Sequence, residues 1–373
     1  MPTRCNFIIV NFILLIALFT VPIFSQESVQ EKISPDKYKL LFRGAIKRPS
    51  PFTILQLDNN LEILLACTND KTLEQIITSG INCLESQLRL LVDWKLLKQD
   101  RETYKAAIPI IGEKKITSMR LEFQTVAKRI VSEIQPDLER LEELLNKSGR
   151  SYSTYPIFIG FILHESIYGD YIAGDLLKKY ELTVDNPYWN GIGLIYYPYR
   201  DFKFNMLSMP LGKNSLFFLS YEDSIGIPSS IKAPFSGFRT LMKLMNDFKD
   251  NDKIDDKELY KIYKPYNIID EQGKLTVTTI KKQKGDKIYD LCSKMTECIK
   301  ETMIAEVNSK KLQKILEIDK TDALFILLYY ELRIAILEEL EKKGLVGKPL
   351  SFEKPEDITR LDIGNMIFKT ITE

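Results

Sequence analysis

Residues 72–111 read TLEQIITSGINCLESQLRLLVDWKLLKQDRETYKAAIPII. Thr72 is placed to cap a short helix, Gln75 three residues on completes a capping box, and Gly80 is placed to end the helix. Asn82 then predicts the start of a second helix with Glu85 at its N3 position, where a carboxylate meets the positive end of the helix dipole. Leu84, Leu88, Leu91 and Val92 recur at helical spacing and give that helix a buried stripe. Beyond Trp94, the segment Leu96 to Tyr104 has the form of a hairpin, and Tyr104 to Ile111 supply its second strand. Upstream, Leu57, Leu61, Leu64 and Leu65 share one face of a further helix that ends near Cys67.

Three helices closed by a β-hairpin resemble winged helix-turn-helix domains, and the resemblance covers residues 57–111. It implies that the helix after Gly80 presents Glu85, Ser86, Arg89 and Asp93 to a DNA major groove. Two of those four are acids, whereas phosphate contacts dominate DNA affinity and need Lys or Arg. The shape is therefore expected to serve protein contact, with Arg89, Lys95, Lys98 and Tyr104 as the partner-binding candidates. A DNA-binding regulator with a basic surface beside Arg89, Lys95, Lys98 and Lys105 is the alternative.

The N-terminus bears on the same choice. Arg4 precedes the apolar run FIIVNFILLIALFTVPIF, residues 7–24, and Ser25 and Gln26 follow. That order predicts a secretory signal peptide over residues 1–25, cleaved after Ser25. An uncleaved anchor with Arg4 held inside would send the body across the membrane as well. The expected location is extracytoplasmic, periplasmic or secreted, with no membrane span after signal removal. The whole chain has 52 basic and 51 acidic residues, and Arg4 is the one charge among residues 1–25, so the mature chain is neutral. Neutrality gives no attraction to nucleic acid or to an anionic membrane surface.

Hydrophobic content of 45% with 28% charged residues is ordinary for a folded protein, which sets disorder aside. Residues 26–56, with Pro35, Pro49 and Pro51, read as a tether carrying a docked segment around Tyr38 to Phe42. A first domain, 57–148, joins the winged-helix-like module to a long helix, Glu113 to Asn146. The seam of that helix is Ile116, Met119, Phe123, Val126, Ile130, Ile134, Leu138, Leu141 and Leu145. It suits a coiled-coil arm or, with fewer than four clean heptads, a helix packed on its own domain. Pro136 is expected to kink or split it.

Residues 149–232 predict a mostly apolar helix from Ile157 to Tyr180, then strands Gly191–Tyr197, Phe202–Leu207 and Ser215–Tyr221 in one small antiparallel sheet. Residues 233–320 echo the first module. A helical stripe at Phe238, Leu241, Leu244, Met245 and Phe248 precedes the strand-like run Tyr266 to Val277 and a helix from Asp286 to Ile318. The acidic run Asp247 to Asp256 lacks the ligand spacing of a calcium loop and reads as solvated. In residues 321–373, Thr321 or Asp322 caps a central packing helix that Gly344 ends, and the tail from Lys348 is expected to dock on the surface.

The one histidine in the chain, His164, leaves the zinc motif H-E-x-x-H impossible to build, and no G-x-S-x-G elbow is present. His164, Glu165 and Tyr168 form a candidate cleft on the Ile157–Tyr180 helix. Of four mature cysteines, Cys67 and Cys83 are either a disulfide or two buried thiols. Cys292 and Cys298 on one helix lie about 120° apart in azimuth and roughly 9 Å apart along the axis, too far to bond.

The chain is thus expected to be an α+β, mostly helical protein with winged-helix-like modules, long amphipathic helices and a small antiparallel sheet. Its expected role is that of an exported, non-enzymatic interaction or scaffold protein without cofactor or metal, contacting a protein partner or itself. A cell-envelope hydrolase using Glu165, Asp170 and Asp175 is a further alternative.

Overall fold

The computed structural model describes residues 37–147, 154–198, 204–210, 215–222, 253–264, 269–274, 278–346 and 366–369, together with Lys243 and Asp247. The expected signal peptide, all five residues of the stripe at Phe238, Leu241, Leu244, Met245 and Phe248, and much of the Tyr266–Val277 run lie outside the described residues. The architecture is α+β and mostly helical, with small sheets.

The core is organised by two helices. The first, α5 (Glu113–Lys147), is one element with Pro136 inside it, and all nine expected seam residues are at most 6% exposed. The seam faces the chain's own α8 (Lys287–Asn308), α9 (Lys311–Leu316) and α10 (Thr321–Lys342), so α5 is a packed helix of its own domain. On the solvent side, pairs such as Arg129–Glu306 at 2.7 Å and Lys294–Asp137 at 2.8 Å tie α5 to α8. Such exposed pairs add at most about 1 kcal/mol each, so burial of the seam dominates.

The second organising helix, α10, is apolar on all sides from Ala323 to Tyr329. Gly344, at φ +66°, follows its end, where a left-handed residue terminates a helix at least steric cost. Its start differs from expectation. Lys320 occupies the cap without a side-chain bond, because Asp322 is already engaged by the Tyr180 hydroxyl at 2.7 Å and by Lys179.

The module at 57–111 consists of α2 (Asn60–Ala66), β2 (Lys71–Thr72), α3 (Leu73–Thr78), α4 (Glu85–Asp93), β3 (Leu97–Asp100) and β4 (Thr103–Ala106). Its antiparallel sheet has the order β2-β4-β3. Thr72 and Gln75 make the reciprocal capping bonds, at 3.2 and 2.9 Å, and Gly80 adopts φ +85° after the helix. Asn82 does not cap α4. Its carbonyl accepts the Asn59 side-chain amide, so the cap position falls to Leu84, whose N–H is met by Gln87 Oε1 at 3.0 Å.

Two sheet assignments differ from expectation. Within the supposed tether, β1 (Lys39–Ile46) is a strand and α1 (Pro51–Leu55) a helix. β1 pairs antiparallel with β6 (Trp189–Tyr196), and the short β5 (Ile110–Ile111) pairs parallel with β6 on its other side. β6 therefore does not join the sheet predicted for residues 191–221. That sheet instead runs β7 (Phe204–Pro210), β8 (Ser215–Glu222), β10 (Met366–Lys369), β9 (Thr278–Lys281). The tail strand β10 lies antiparallel to β8 and parallel to β9. The physical reason is the same in both cases: each strand's partner lies about 150 residues away, where no turn signal marks the pairing.

The module meets β1 and β6 through aromatic contacts. Trp189 Nε1 donates to the Trp94 carbonyl at 2.5 Å, Trp94 stacks on Tyr188 at 4.7 Å, and Phe42 meets Trp189 edge-on at 5.5 Å. Between α5 and β6 lies α6 (Ile157–Leu176), a wide helix with i to i+5 bonding that continues into Leu177 N–H to Ile172 carbonyl, 2.8 Å. Ile157 to Leu163 are all buried, so this helix has no solvent stripe in its first half. α7 (Lys257–Tyr263) is capped by Asp256.

Candidate functional site

The densest grouping of polar chemistry in the described residues lies where β1, α6 and α10 meet. β1 places Arg43 between buried Phe42 and exposed Gly44. Its guanidinium reaches across to α10, donating from Nε to the Tyr330 hydroxyl at 3.1 Å and from Nη2 to the same oxygen. Nη1 donates to the Phe42 carbonyl at 2.8 Å. The guanidinium carbon stands 5.4 Å from the Tyr330 ring centre and 6.0 Å from that of Tyr168. One turn further along α10, Arg333 stands 4.8 Å from the Tyr330 ring and 5.5 Å from Tyr329. Cation–π attraction of this kind grows as water is removed.

The tyrosines form a continuous wall. Tyr329 meets Tyr330 at 5.3 Å and Tyr168 at 5.5 Å, and the His164 ring stacks on Tyr168 at 5.5 Å with 17° between planes. Burial first, and then the positive charge of Arg333, push the His164 pKa down to about 4, so the imidazole is neutral at pH 7. Burial raises the Tyr168 phenol and pushes Tyr329 up to about 12. Burial opposes the charge on Arg43, yet Tyr330 and Tyr168 outweigh it and leave its pKa raised. These groups are set up to hold and orient a charge rather than to exchange protons near neutrality.

Beside this wall, Glu331 is 1% exposed and paired bidentately with Arg120, at 2.7 Å through Nε and 3.1 Å through Nη2. Arg120 also donates to the Pro198 carbonyl at 2.9 Å. Burial, followed by the Glu331 charge, raises the Tyr196 phenol. Both oxygens of the buried Glu331 carboxylate are thus engaged by Arg120.

Of the predicted cleft, His164 and Tyr168 belong to the cluster and Glu165 does not. The Glu165 pKa is raised by burial and by Asp170, against the opposing charge of Lys282, which holds Asp170 at 2.8 Å. Asp170 and Asp175 are exposed. The three carboxylates proposed for hydrolysis therefore sit in unlike surroundings.

In the module, Arg89 is exposed and bonded to Glu85 at 3.3 Å, and Lys95 and Lys98 are exposed. Tyr104 is a correction: it is only 9% exposed, because strand alternation turns it inward while Lys105 points out. Leu57, Ile77 and Leu84 are 46%, 50% and 59% exposed. Asn59 bonds the Asn82 carbonyl and accepts from Gln87 at 2.8 Å, which holds the loop carrying Leu57 against the turn carrying Leu84. A shallow groove is lined by Asp70, Lys71, Glu74, Gln75, Thr78 and Ser79.

Cys67, Cys83 and Cys292 are buried free thiols, and Cys298 donates to Glu133 at 3.3 Å. Burial pushes the Cys67 thiol up to about 12, which keeps it protonated and unreactive. Among the described residues there is no cluster of three or more metal-ligating side chains, and no helix long and apolar enough to cross a membrane.

Sequence reasoning missed Arg43, Tyr330 and Arg333. Arg43 lay in the supposed tether, Tyr330 read as the end of an apolar run, and Arg333 as an interruption beyond it. The available signal was the string Tyr329-Tyr330-Glu331-Leu332-Arg333 inside an otherwise apolar helix, since charged groups enter a core only when paired. Comparisons with protein families, with curated proteins and with solved structures found no match to this chain.

Proposed function

We propose that the chain is an exported, non-enzymatic interaction protein whose module at residues 57–111 is a winged-helix scaffold that binds a protein partner or a second copy of itself. The observation that carries this reading is the exposure of Leu57, Ile77 and Leu84 around the helix–turn–helix. Large apolar side chains gathered on a surface mark an interaction site. Residues 57–111 also hold eight acidic and six basic side chains, so the module as a whole has no net attraction for a phosphate backbone.

Crosslinking in intact cell envelopes tests the reading. The wild-type chain is expected in a discrete crosslinked species that is lost when Ile77→Asp and Leu84→Asp are combined. A monodisperse, monomeric and uncrosslinked wild-type protein would overturn it. The DNA-binding reading requires salt-sensitive retention on DNA by the protein lacking residues 1–25, and lack of retention at low salt removes it.

A further inference from the structure

Charge in the first part of the described chain is sorted rather than mixed. Residues 37–57 hold five basic side chains and no acid, whereas residues 58–88 hold five acids and one base, Lys71. A block of one sign on a folded surface repels its own kind and draws the opposite block of another molecule.

Both blocks also expose apolar side chains. In the acidic block Asp58 adjoins Leu57, Glu74 stands one helical turn before Ile77, and Glu85 adjoins Leu84, and all of these are exposed. In the basic block Ile46 and Phe52 are exposed, with exposed Lys47 and Arg48 between them.

The fold fixes each block and leaves their charges unmatched. The Lys47 N–H donates to the Tyr188 carbonyl at 2.9 Å, which sets it at the end of β1. Ser50 caps α1, and buried Asn60 donates to the Ile54 carbonyl at 2.9 Å, which holds α2 against α1. Glu85 has Arg89 and Asp70 has Lys105 as ion-pair partners, but among the described residues Lys47, Arg48, Asp58 and Glu74 have none. Two cations and two carboxylates, each beside an exposed apolar side chain, are thus left without countercharge inside the chain.

The other cations of the module do not offer the same combination. Lys95, Lys98 and Arg101 are exposed on the hairpin and just before it, yet no large apolar side chain is exposed between residues 89 and 111. In an interface apolar area supplies the affinity, and charge selects the partner and speeds the encounter. The Ile46–Phe52 stretch supplies both.

We propose that a second copy of this chain covers the face of Leu57, Ile77 and Leu84, laying its Ile46–Phe52 stretch there with Lys47 and Arg48 against Asp58 and Glu74. Only the short α1 separates the two blocks, so in a two-fold pair each copy gives its basic stretch and receives the other's, and the assembly closes as a dimer. The inference rests on the contact reading above and narrows the partner to the chain itself.

The test follows the full chain, purified after export, by sedimentation velocity over a range of concentrations. A reversible monomer–dimer equilibrium is expected, and it should weaken as sodium chloride is raised. Lys47→Glu with Arg48→Glu, and separately Asp58→Lys with Glu74→Lys, should each weaken dimerisation by about tenfold or more. An equimolar mixture of these two variants should regain it, because each then presents the charges the other has lost. Lys98→Glu with Arg101→Glu, the same charge change placed on the hairpin, should leave it intact. A wild-type chain that stays monomeric at every concentration overturns the proposal, as does a dimer that survives either reversal in variants shown to be folded by circular dichroism, or a mixture that remains monomeric. If the purified chain is monomeric while the crosslinked species in cell envelopes still depends on Ile77 and Leu84, the contact surface stands and its occupant is a different protein, which sinks this inference alone.

Discussion

His164 is the side chain whose surroundings act most directly on stability at a measurable pH. An unfolded histidine takes up a proton near pH 6.5, whereas His164 in the folded chain does so only near pH 4. Between those values the unfolded state binds the extra proton, so stability falls as pH drops from 6.5 towards 4, and the full contribution is present only above 6.5. At pH 4.5 the loss from this one group is about 2 kcal/mol. Urea unfolding of the wild type and of His164→Gln at pH 7.0 and 4.5 isolates it, because Glu165 and the other carboxylates titrate in both proteins. The variant is expected to lose less stability over this interval, and equal losses would mean that His164 titrates normally. This residue was legible in the sequence because it is the one histidine, and Tyr168 four positions on followed from it. Arg43 was not, since an arginine in a short polar stretch looks the same whether it faces water or a neighbouring helix.

At the scale of elements, the local features were readable and the distant pairings were not. The capping box at Thr72, the hairpin from Leu97 to Ala106 and the seam of α5 each depend on residues a few positions apart. The pairing of β1 with β6 depends on a close backbone approach that only glycine permits. Gly44 has φ +126°, and a Cβ there would lie 2.5 Å from the Asn190 carbonyl oxygen. A Cβ on its partner Gly191 would lie 2.0 Å from the carbonyl oxygen of Arg43. Gly191→Ala must therefore push the two strands apart at the residue that carries the guanidinium. It is expected to cost about 2 kcal/mol or more, read as a lowered urea midpoint. Gly80→Ala, where a Cβ meets nothing within 4 Å, should cost less, through its strained φ of +85° alone. In the sequence Gly44 lay within the supposed tether and Gly191 opened a predicted strand, and nothing near either in the chain announces that the two oppose each other.

Over the whole molecule, the described order of strands links distant parts of the chain. β10 stands between β8 and β9, so removing residues 366–373 would leave two strands without their shared neighbour. Unpaired strand edges invite pairing with other chains. The shortened protein is expected to scatter light and to elute in the void volume at concentrations where the full chain does not, and unchanged elution would show that β8 and β9 are protected by other means. Synthesis adds a timing to this arrangement. A ribosome delivers β8 more than 140 residues before β10, which at about 5–20 residues per second is an interval of roughly 7 to 30 seconds. Throughout that interval the growing polypeptide carries an open edge, and an escort that shields it until release would have the most to act on in this segment.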